Sequence, residues 1–387
     1  MRSQDKLFLL EEQRPLVWAF IPFGIEGQRL VGDTYDTADT KAELAAAFHS
    51  LGLPWIWQPL VRECLDEIIE QVSRERTRRD VLIFNFCDGD DVNCRPGLSV
   101  VRALEAARIP FTGADSRFYD ASTSKVQMKE RFLADGVPTA PFAVLPHSGP
   151  VQGVCHRLGV PLFVKPSVSF ASHGISLASV VFTDQQAASR RDHLRSGPWA
   201  HYFAGDTIFA ERFIDGSEFT VFVGGYWDQP DENWFLPPAQ RVFDESIPDS
   251  ERFLSFDRYW GHFQEESPPA LGRPFCRYEP CPLPLARKLA GLANRAYCVL
   301  HGTGYGRVDI RQDRHSGKFY VLEVNSNCGI SGDDQTSTGC LLKLAGLTLP
   351  ALLASIIHQT LLRAAWPAPR PAAHSLPGRR ATTPAMD

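Results

Sequence analysis

"YVLEVNSNCGI", residues Tyr320 to Ile330, is an apolar run interrupted by Glu323, then Asn325, then Asn327, and it stops at Gly329. In a strand, residues i, i+2 and i+4 share a face, so these three polar side chains are expected to point the same way. A carboxylate and two carboxamides at a strand end suit a hard cation such as Mg2+, which takes oxygen ligands. An edge strand with a solvated polar face gives the same pattern. Spacing alone leaves both readings open.

Working backward, "GYGRVDIRQDRHSGKFYVLEVN" reads as two strands around a turn at His315–Gly317. Folding that hairpin brings Asp309 to Glu323 and Asn325. Such a set can hold one or two Mg2+ ions, with phosphate oxygens and water completing the shell. Arg307, two residues before Asp309, shares its face and can stabilise a phosphoryl group in transfer or a developing oxyanion.

Further upstream, buried-strand runs alternate with helical patterns: "LVWAFIPF" (Leu16–Phe23), "TKAELAAAFHSLG" (Thr40–Gly52), "RDVLIFNF" (Arg79–Phe86) and "PGLSVVRALEAARIP" (Pro96–Pro110). This alternation predicts an α/β fold with a parallel sheet covered on both faces. "TIFAERFIDGSEFTVFVGG" (Thr207–Gly225) holds two β-rich runs around an Asp-Gly turn. The segment Trp227–Pro284 is rich in proline, aromatics and charge, and long irregular segments of this kind usually carry function. The expected units are 1–115, 116–206 and 207–365, followed by a disordered proline-rich tail, 366–387.

The 387 residues are 44% hydrophobic and 22% charged, with a net charge of -5, so nothing draws the chain generally to nucleic acid or anionic membrane. No apolar stretch reaches the roughly 18 residues of a membrane helix. Nine scattered cysteines without a C-x-x-C read as reduced thiols of a cytoplasmic protein.

Seven stretches in order, "FNFCDG", "IPFTGAD", "TSKVQMKERFLADGVPTAPF", "PLFVKPS", "FAERFIDGSEFTVFV", "GYGRVDI" and "YVLEVNSNCGI", resemble the ATP-grasp superfamily and, within it, the D-alanine–D-alanine ligases. The resemblance implies an ATP-grasp fold of three α/β domains, with ATP between the central and C-terminal ones. It implies that Lys125 and Lys165 contact phosphates, and that Glu211 and Glu218 hold the adenine amino group and the ribose hydroxyls. Ile214 would flank adenine, and Ser172 would belong to the phosphate loop. Asp309, Glu323 and Asn325 would be the magnesium ligands (Mn2+ being the other suitable ion). Arg307 would sit by the transferred groups, with Tyr259 and Arg258 in a lid within Phe243–Gly261. Asn327, Gly329 and Asp334 fall in the stretch that meets the substrate. Partners would be small amino acids or other carboxylates and amines, with no nucleic acid or membrane, and a homodimer is an allowed assembly.

The departures are specific. The phosphate loop, glycine- and serine-rich in the family, reads "SVSFASHGI" here, with Phe170 and Ala171 in place of a glycine and a serine. An N-terminal acidic residue is left among Glu26, Asp33 and Asp36. In ungapped register Asp334 stands where the family has a serine that grips the acceptor carboxylate. Either the register shifts, with the "GDD" aspartates capping a helix, or the acceptor differs from D-alanine. The leading expectation is an ATP-dependent carboxylate–amine ligase working through an acyl phosphate. A regulatory ATP-binding protein and another phosphoryl-transfer enzyme on the same fold are the alternatives.

Overall fold

The computed structural model describes residues 14–26, 29–32, 37–89, 95–261, 265–268 and 274–365. Asp33, Asp36, Cys94, the side chain of Glu26 and the tail 366–387 lie outside the described residues.

The first sheet is built on β1 (Leu16–Glu26), with β2 (Arg29–Gly32) folded back antiparallel on its end. After α1 (Ala38–Ser50), β3 (Trp55–Leu60), α2 (Leu65–Arg76) and β4 (Val81–Asn85) follow, and β3 and β4 flank β1 in parallel. Both faces of β1 are apolar and buried, as expected of a covered parallel strand. Val17, Ala19 and Ile21 pack with Leu44, Ala47 and Phe48 of α1. Leu16, Trp18 and Phe20 pack with Ile68 and Val72 of α2 and Val100 and Leu104 of α3 (Leu98–Ala106).

The second unit opens with α4 (Ser116–Thr123) and α5 (Lys125–Ala134), separated by Ser124, whose side chain caps α5. An antiparallel sheet of β5 (Phe142–Val144), β6 (Leu162–Pro166), β7 (Val180–Val181) and β8 (Ile208–Arg212) runs in the order β5-β8-β6-β7. It packs with α6 (Val154–Leu158), α7 (Asp184–Ser196) and α8 (Ala200–Phe203).

The third sheet comprises β9 (Glu218–Tyr226), β10 (Trp234–Phe235), β11 (Ala239–Phe243), β12 (Cys276–Pro280), β13 (Thr303–Gln312) and β14 (Phe319–Ser326). It is antiparallel, ordered β12-β11-β9-β13-β14, with β10 on β9. The helices here are α9 (Phe256–Trp260), α10 (Leu283–Val299), α11 (Ser337–Ala345) and α12 (Leu349–Ala365). One face of the sheet buries Val221, Val223, Val308 and Val321 against Leu289, Ala293 and Ala296 of α10. The other face carries the polar side chains discussed below.

The parallel pairing expected of the first unit is present, with β3 and β4 beside β1. The two runs around Asp215-Gly216 are both strands, but of different sheets: β8 joins the second sheet and β9 the third. Gly216 has φ +148, and a Cβ there would lie 2.0 Å from the carbonyl oxygen of Gln312. The chain therefore passes flat against the end of β13 instead of doubling back. The His315–Gly317 turn does join a hairpin, β13–β14. Among the described residues no two cysteines form a disulfide, and no single helix is long and apolar enough to cross a membrane.

Candidate active site

The β13–β14 register sets Arg307 opposite Asn325 and Asp309 opposite Glu323. A bulge follows, because Ile310 pairs with Val321 and Leu322 is left over. Asn325 Nδ2 donates to Asp309 Oδ2 (3.0 Å) and Glu323 Oε1 (3.4 Å). Arg307 forks onto Asp309 through Nε (3.1 Å) and Nη2 (2.9 Å), and Thr220 of β9 donates to Asp309 Oδ1 (3.0 Å). Lys125, from the second unit, brings its Nζ to 3.6 Å from Glu323 Oε2. Burial pushes the Glu323 carboxyl up, but Lys125 first, then Lys165 and Arg307, hold it at about 2.

Among the described residues no cluster of three or more His, Cys, Asp or Glu forms. The chain offers two carboxylates and one carboxamide, an all-oxygen set once the Asn325 amide turns its oxygen inward. That fits a hard divalent cation whose remaining positions go to phosphate and water.

Beside this group lies a buried ion cluster that the sequence reading did not anticipate in full. Glu211 of β8 meets Lys165 of β6 through Oε1 and Lys129 of α5 through Oε2, each at 2.6 Å. Lys129 is wholly buried and also donates to Thr139 Oγ1 (2.8 Å), which donates to the Val321 carbonyl (2.8 Å). Burial alone would raise the Glu211 carboxyl; Lys129 and Lys165 bring it below its usual range. Glu211 thus holds two ammonium groups. The missed signal was the i, i+4 spacing of Lys125 and Lys129, which puts both on one helix face. Lys125 Nζ itself reaches the loop expected to bind phosphate, donating to the Ser169 carbonyl (2.8 Å).

Glu218 is likewise engaged on both oxygens. Arg241 makes a very short contact to Oε1, and Arg311 Nε donates to Oε2 at 3.0 Å. Burial raises this carboxyl, and Arg241 and Arg311 outweigh it, so it lies below its ordinary value. Arg311 also donates to the Ile214 carbonyl (3.0 Å) and lies over the Phe213 ring (4.9 Å). Ile214 is buried.

The expected phosphate loop and the expected lid are bonded together. Ala171 (φ 45) and Ser172 (φ 60) both hold left-handed conformations that favour glycine. Ser172 Oγ donates to the Leu254 carbonyl (3.1 Å), and the Phe256 amide donates to the Ile175 carbonyl (2.9 Å). Trp260 Nε1 donates to the Ala171 carbonyl (3.1 Å). Trp260 therefore makes the contact expected of Tyr259, whose ring is half exposed and packs on Trp260 at 5.0 Å. Arg258 is also corrected: it is buried within the lid, bonded to Glu251 (2.8 Å) and near Glu266 (3.6 Å), so it holds the lid's own shape.

Past β14, Asn327 has left the strand (φ 50) and does not share the face of Glu323. Its buried Oδ1 accepts from the Ala114 amide at 2.8 Å, fixing the Phe111–Asp115 loop. Gly113 (φ +90) must be glycine here, since a Cβ would lie 2.1 Å from that oxygen. Gly329 is exposed, and its carbonyl accepts from Thr338 (2.5 Å). Asp334 points to the surface, bonded to Lys343 (2.7 Å). Thr336, not an aspartate, caps α11. The hydroxyls that open this helix are Thr336 and Ser337. Ser337 Oγ lies 2.7 Å from the Tyr278 hydroxyl. Glu43 of α1 accepts from Ser331 Oγ (3.0 Å) and the Gly332 amide (2.6 Å).

The family described as "D-ala D-ala ligase C-terminus" matches residues 278–358. The D-alanine–D-alanine ligase of Chromohalobacter salexigens is 30% identical over 268 residues, 68% of this chain and 73% of the relative. That of Marinobacter nauticus is 29% identical over 265 residues, 67% of this chain and 69% of the relative. In three dimensions the chain resembles the Bacillus anthracis D-alanine–D-alanine ligase complexed with ATP. The TM-score is 0.64 at 18% identity, covering 91% of this chain and 99% of the other.

Proposed function

Because the chain belongs to the D-alanine–D-alanine ligase family, we propose that this ATP-dependent ligase joins two small amino acids through an acyl phosphate. The observation that carries this reading is the meeting of Arg307, Asp309, Glu323 and Asn325 with Lys125 at one end of the third sheet. The carboxylate of the first amino acid takes the γ-phosphoryl of ATP. The amine of the second attacks, phosphate leaves and an amide remains. Lys125 and Lys165 bind phosphate oxygens, and Arg307 meets the charge that develops on the transferred group. Asp309, Glu323 and Asn325 would hold Mg2+ or Mn2+, which neutralises phosphate oxygens when bound. The rest of the rate comes from positioning. Free thiols at described cysteines such as Cys64, Cys155 and Cys298 accord with a cytoplasmic place.

A second reading, an acceptor other than plain D-alanine, loses the support of Asp334 but gains that of Glu43. Ser331 Oγ and the Gly332 amide, donors in the loop that would meet an acceptor carboxylate, are already bonded to a protein carboxylate. A phosphate-release assay over pairs of amino acids and amines, with mass spectrometry of products, tests both readings. The first expects ATP-dependent phosphate release with an amide product, and release without an amide sinks it. Efficient D-alanyl-D-alanine synthesis sinks the second.

A further inference from the structure

Val321 and Glu323 stand two residues apart in β14, yet they face opposite sides of the sheet. Glu323 pairs with Asp309 on the polar face, while Val321 pairs with Ile310 and lies in the core against α10. In an unbroken strand residues i and i+2 share a face. The half-buried Leu322, left over at the bulge, is what turns Glu323 to the other side. Beyond it, Val324 returns to the core and Asn325 joins Glu323. One strand can thus bury Phe319, Val321 and Val324 and still deliver both polar side chains to Asp309.

β14 ends the order of its sheet, so the backbone groups on its outer side need other partners. At the bulge they are met by α5 and the segment that follows it. The Val321 amide donates to the Pro138 carbonyl (2.8 Å), and Thr139 forms a parallel bridge with Val321. The Val321 carbonyl accepts from Thr139 Oγ1 (2.8 Å), which itself accepts from Lys129 Nζ (2.8 Å). On the far side of Leu322, the Val324 amide meets Met128 Sδ at 3.2 Å. Lys125, Met128 and Lys129 stand at i, i+3 and i+4, so the helix face that clamps the bulge also carries Lys125 to Glu323. Lys129 and Thr139 are both buried. Without the Thr139 hydroxyl, the Lys129 ammonium lacks an acceptor and the Val321 carbonyl lacks a donor, and neither can turn to water.

We infer that Thr139, backed by Lys129, is a positioning residue whose hydroxyl holds the bulge that turns Glu323 toward Asp309 in the metal set. The inference rests on the metal-binding part of the proposed function and needs no nucleotide seat and no particular substrate.

Electron paramagnetic resonance of free Mn2+, titrated with the full chain without nucleotide, tests this, with the urea midpoint of each variant read alongside. Thr139→Val, which keeps the shape and loses the hydroxyl, should weaken Mn2+ binding about tenfold, as loss of an outer-shell support does. Thr139→Ser, which keeps the hydroxyl, should bind as wild type does, and Glu323→Gln should lose the ion. A merely structural role would lower the urea midpoint and leave the Mn2+ affinity of the folded chain where it was. Should Thr139→Val fail to fold, Thr139→Cys, with its weaker donor, reads the same loss at smaller size. Wild-type affinity in the variant without the hydroxyl, or an equal loss in Thr139→Ser, overturns the inference. A wild type that binds no Mn2+, or a Glu323→Gln that binds it equally well, refutes the metal reading and the inference with it. Loss in Glu323→Gln beside wild-type affinity in Thr139→Val refutes the inference alone.

Discussion

Lys129 and Glu211 meet at 2.6 Å in the interior, and Lys165 meets the other oxygen of the same carboxylate at the same distance. Lys165 is thereby held by an anion that is itself neutralised from behind. Removing the rear cation leaves Lys165 with a carboxylate that is buried and only half satisfied.

Lys129→Met should therefore destabilise the protein by about 3–5 kcal/mol, the usual cost of breaking a buried ion pair from one side. Lys129→Met with Glu211→Gln should recover part of that loss. Urea denaturation of the single and double variants measures both, and a fully additive pair would refute the coupling.

Acid should attack the same region. The Glu211 and Glu323 carboxyls are both depressed in the folded protein, Glu323 to about 2 from an ordinary 4.5. A depressed carboxyl contributes stability above its unfolded value and loses it as the pH falls through the folded one. Wild-type stability should thus fall from about pH 4.5 downward, and Glu323→Gln should flatten part of the slope between 4.5 and about 2. Denaturation midpoints across that range measure it; an unchanged slope in the variant goes against the assignment.

Glu323→Gln should also reduce ATP-dependent phosphate release to background while the far-UV circular dichroism stays that of wild type. Wild-type release would remove Glu323 from the metal set.

Lys125→Ala and Lys165→Ala should each weaken nucleotide binding by about 1.5–3 kcal/mol, roughly 10- to 150-fold. Calorimetry with ADP and Mg2+ reads the change. Unchanged affinity in either variant excludes that lysine from phosphate binding.

The lid makes a sharper comparison. Trp260→Phe removes the donor to the Ala171 carbonyl and should cost about 1 kcal/mol, with faster amide exchange across 168–175. Tyr259→Phe should leave that exchange unchanged, because its ring lies on the outer side of Trp260. Equal effects of the two would restore Tyr259 as the lid contact.

How far the sequence could be read depended on how local each signal was. Asp309, Glu323 and Asn325 were legible because one hairpin brings them together, and period 2 fixes their side. The bulge at Asp309/Ile310 was not, since the sequence carries no mark of which residue is left over. Asn327 failed for a related reason: the strand ends at Ser326, and alternation stops with it. The Asp334–Lys343 pair was not legible either, because it depends on where the Thr336 cap starts the helix. Lys129, Arg241 and Tyr278 find their partners on other elements, and no spacing within one element announces such pairs.

The two faces of the first sheet reach completion at different times in the life of the chain. The face of Leu16, Trp18 and Phe20 is covered by α2 and α3, which follow it closely. The face of Val17, Ala19 and Ile21 shares its core with Leu352, Leu353, Ile356 and Ile357 of α12, the last described helix. Synthesis proceeds from the N-terminus, and elements that find their partners late stay exposed in the interval. On the ribosome the sheet therefore emerges with one side still partly open, a surface that a chaperone can hold until α12 arrives. A chain cut before Leu349 would keep that side open permanently.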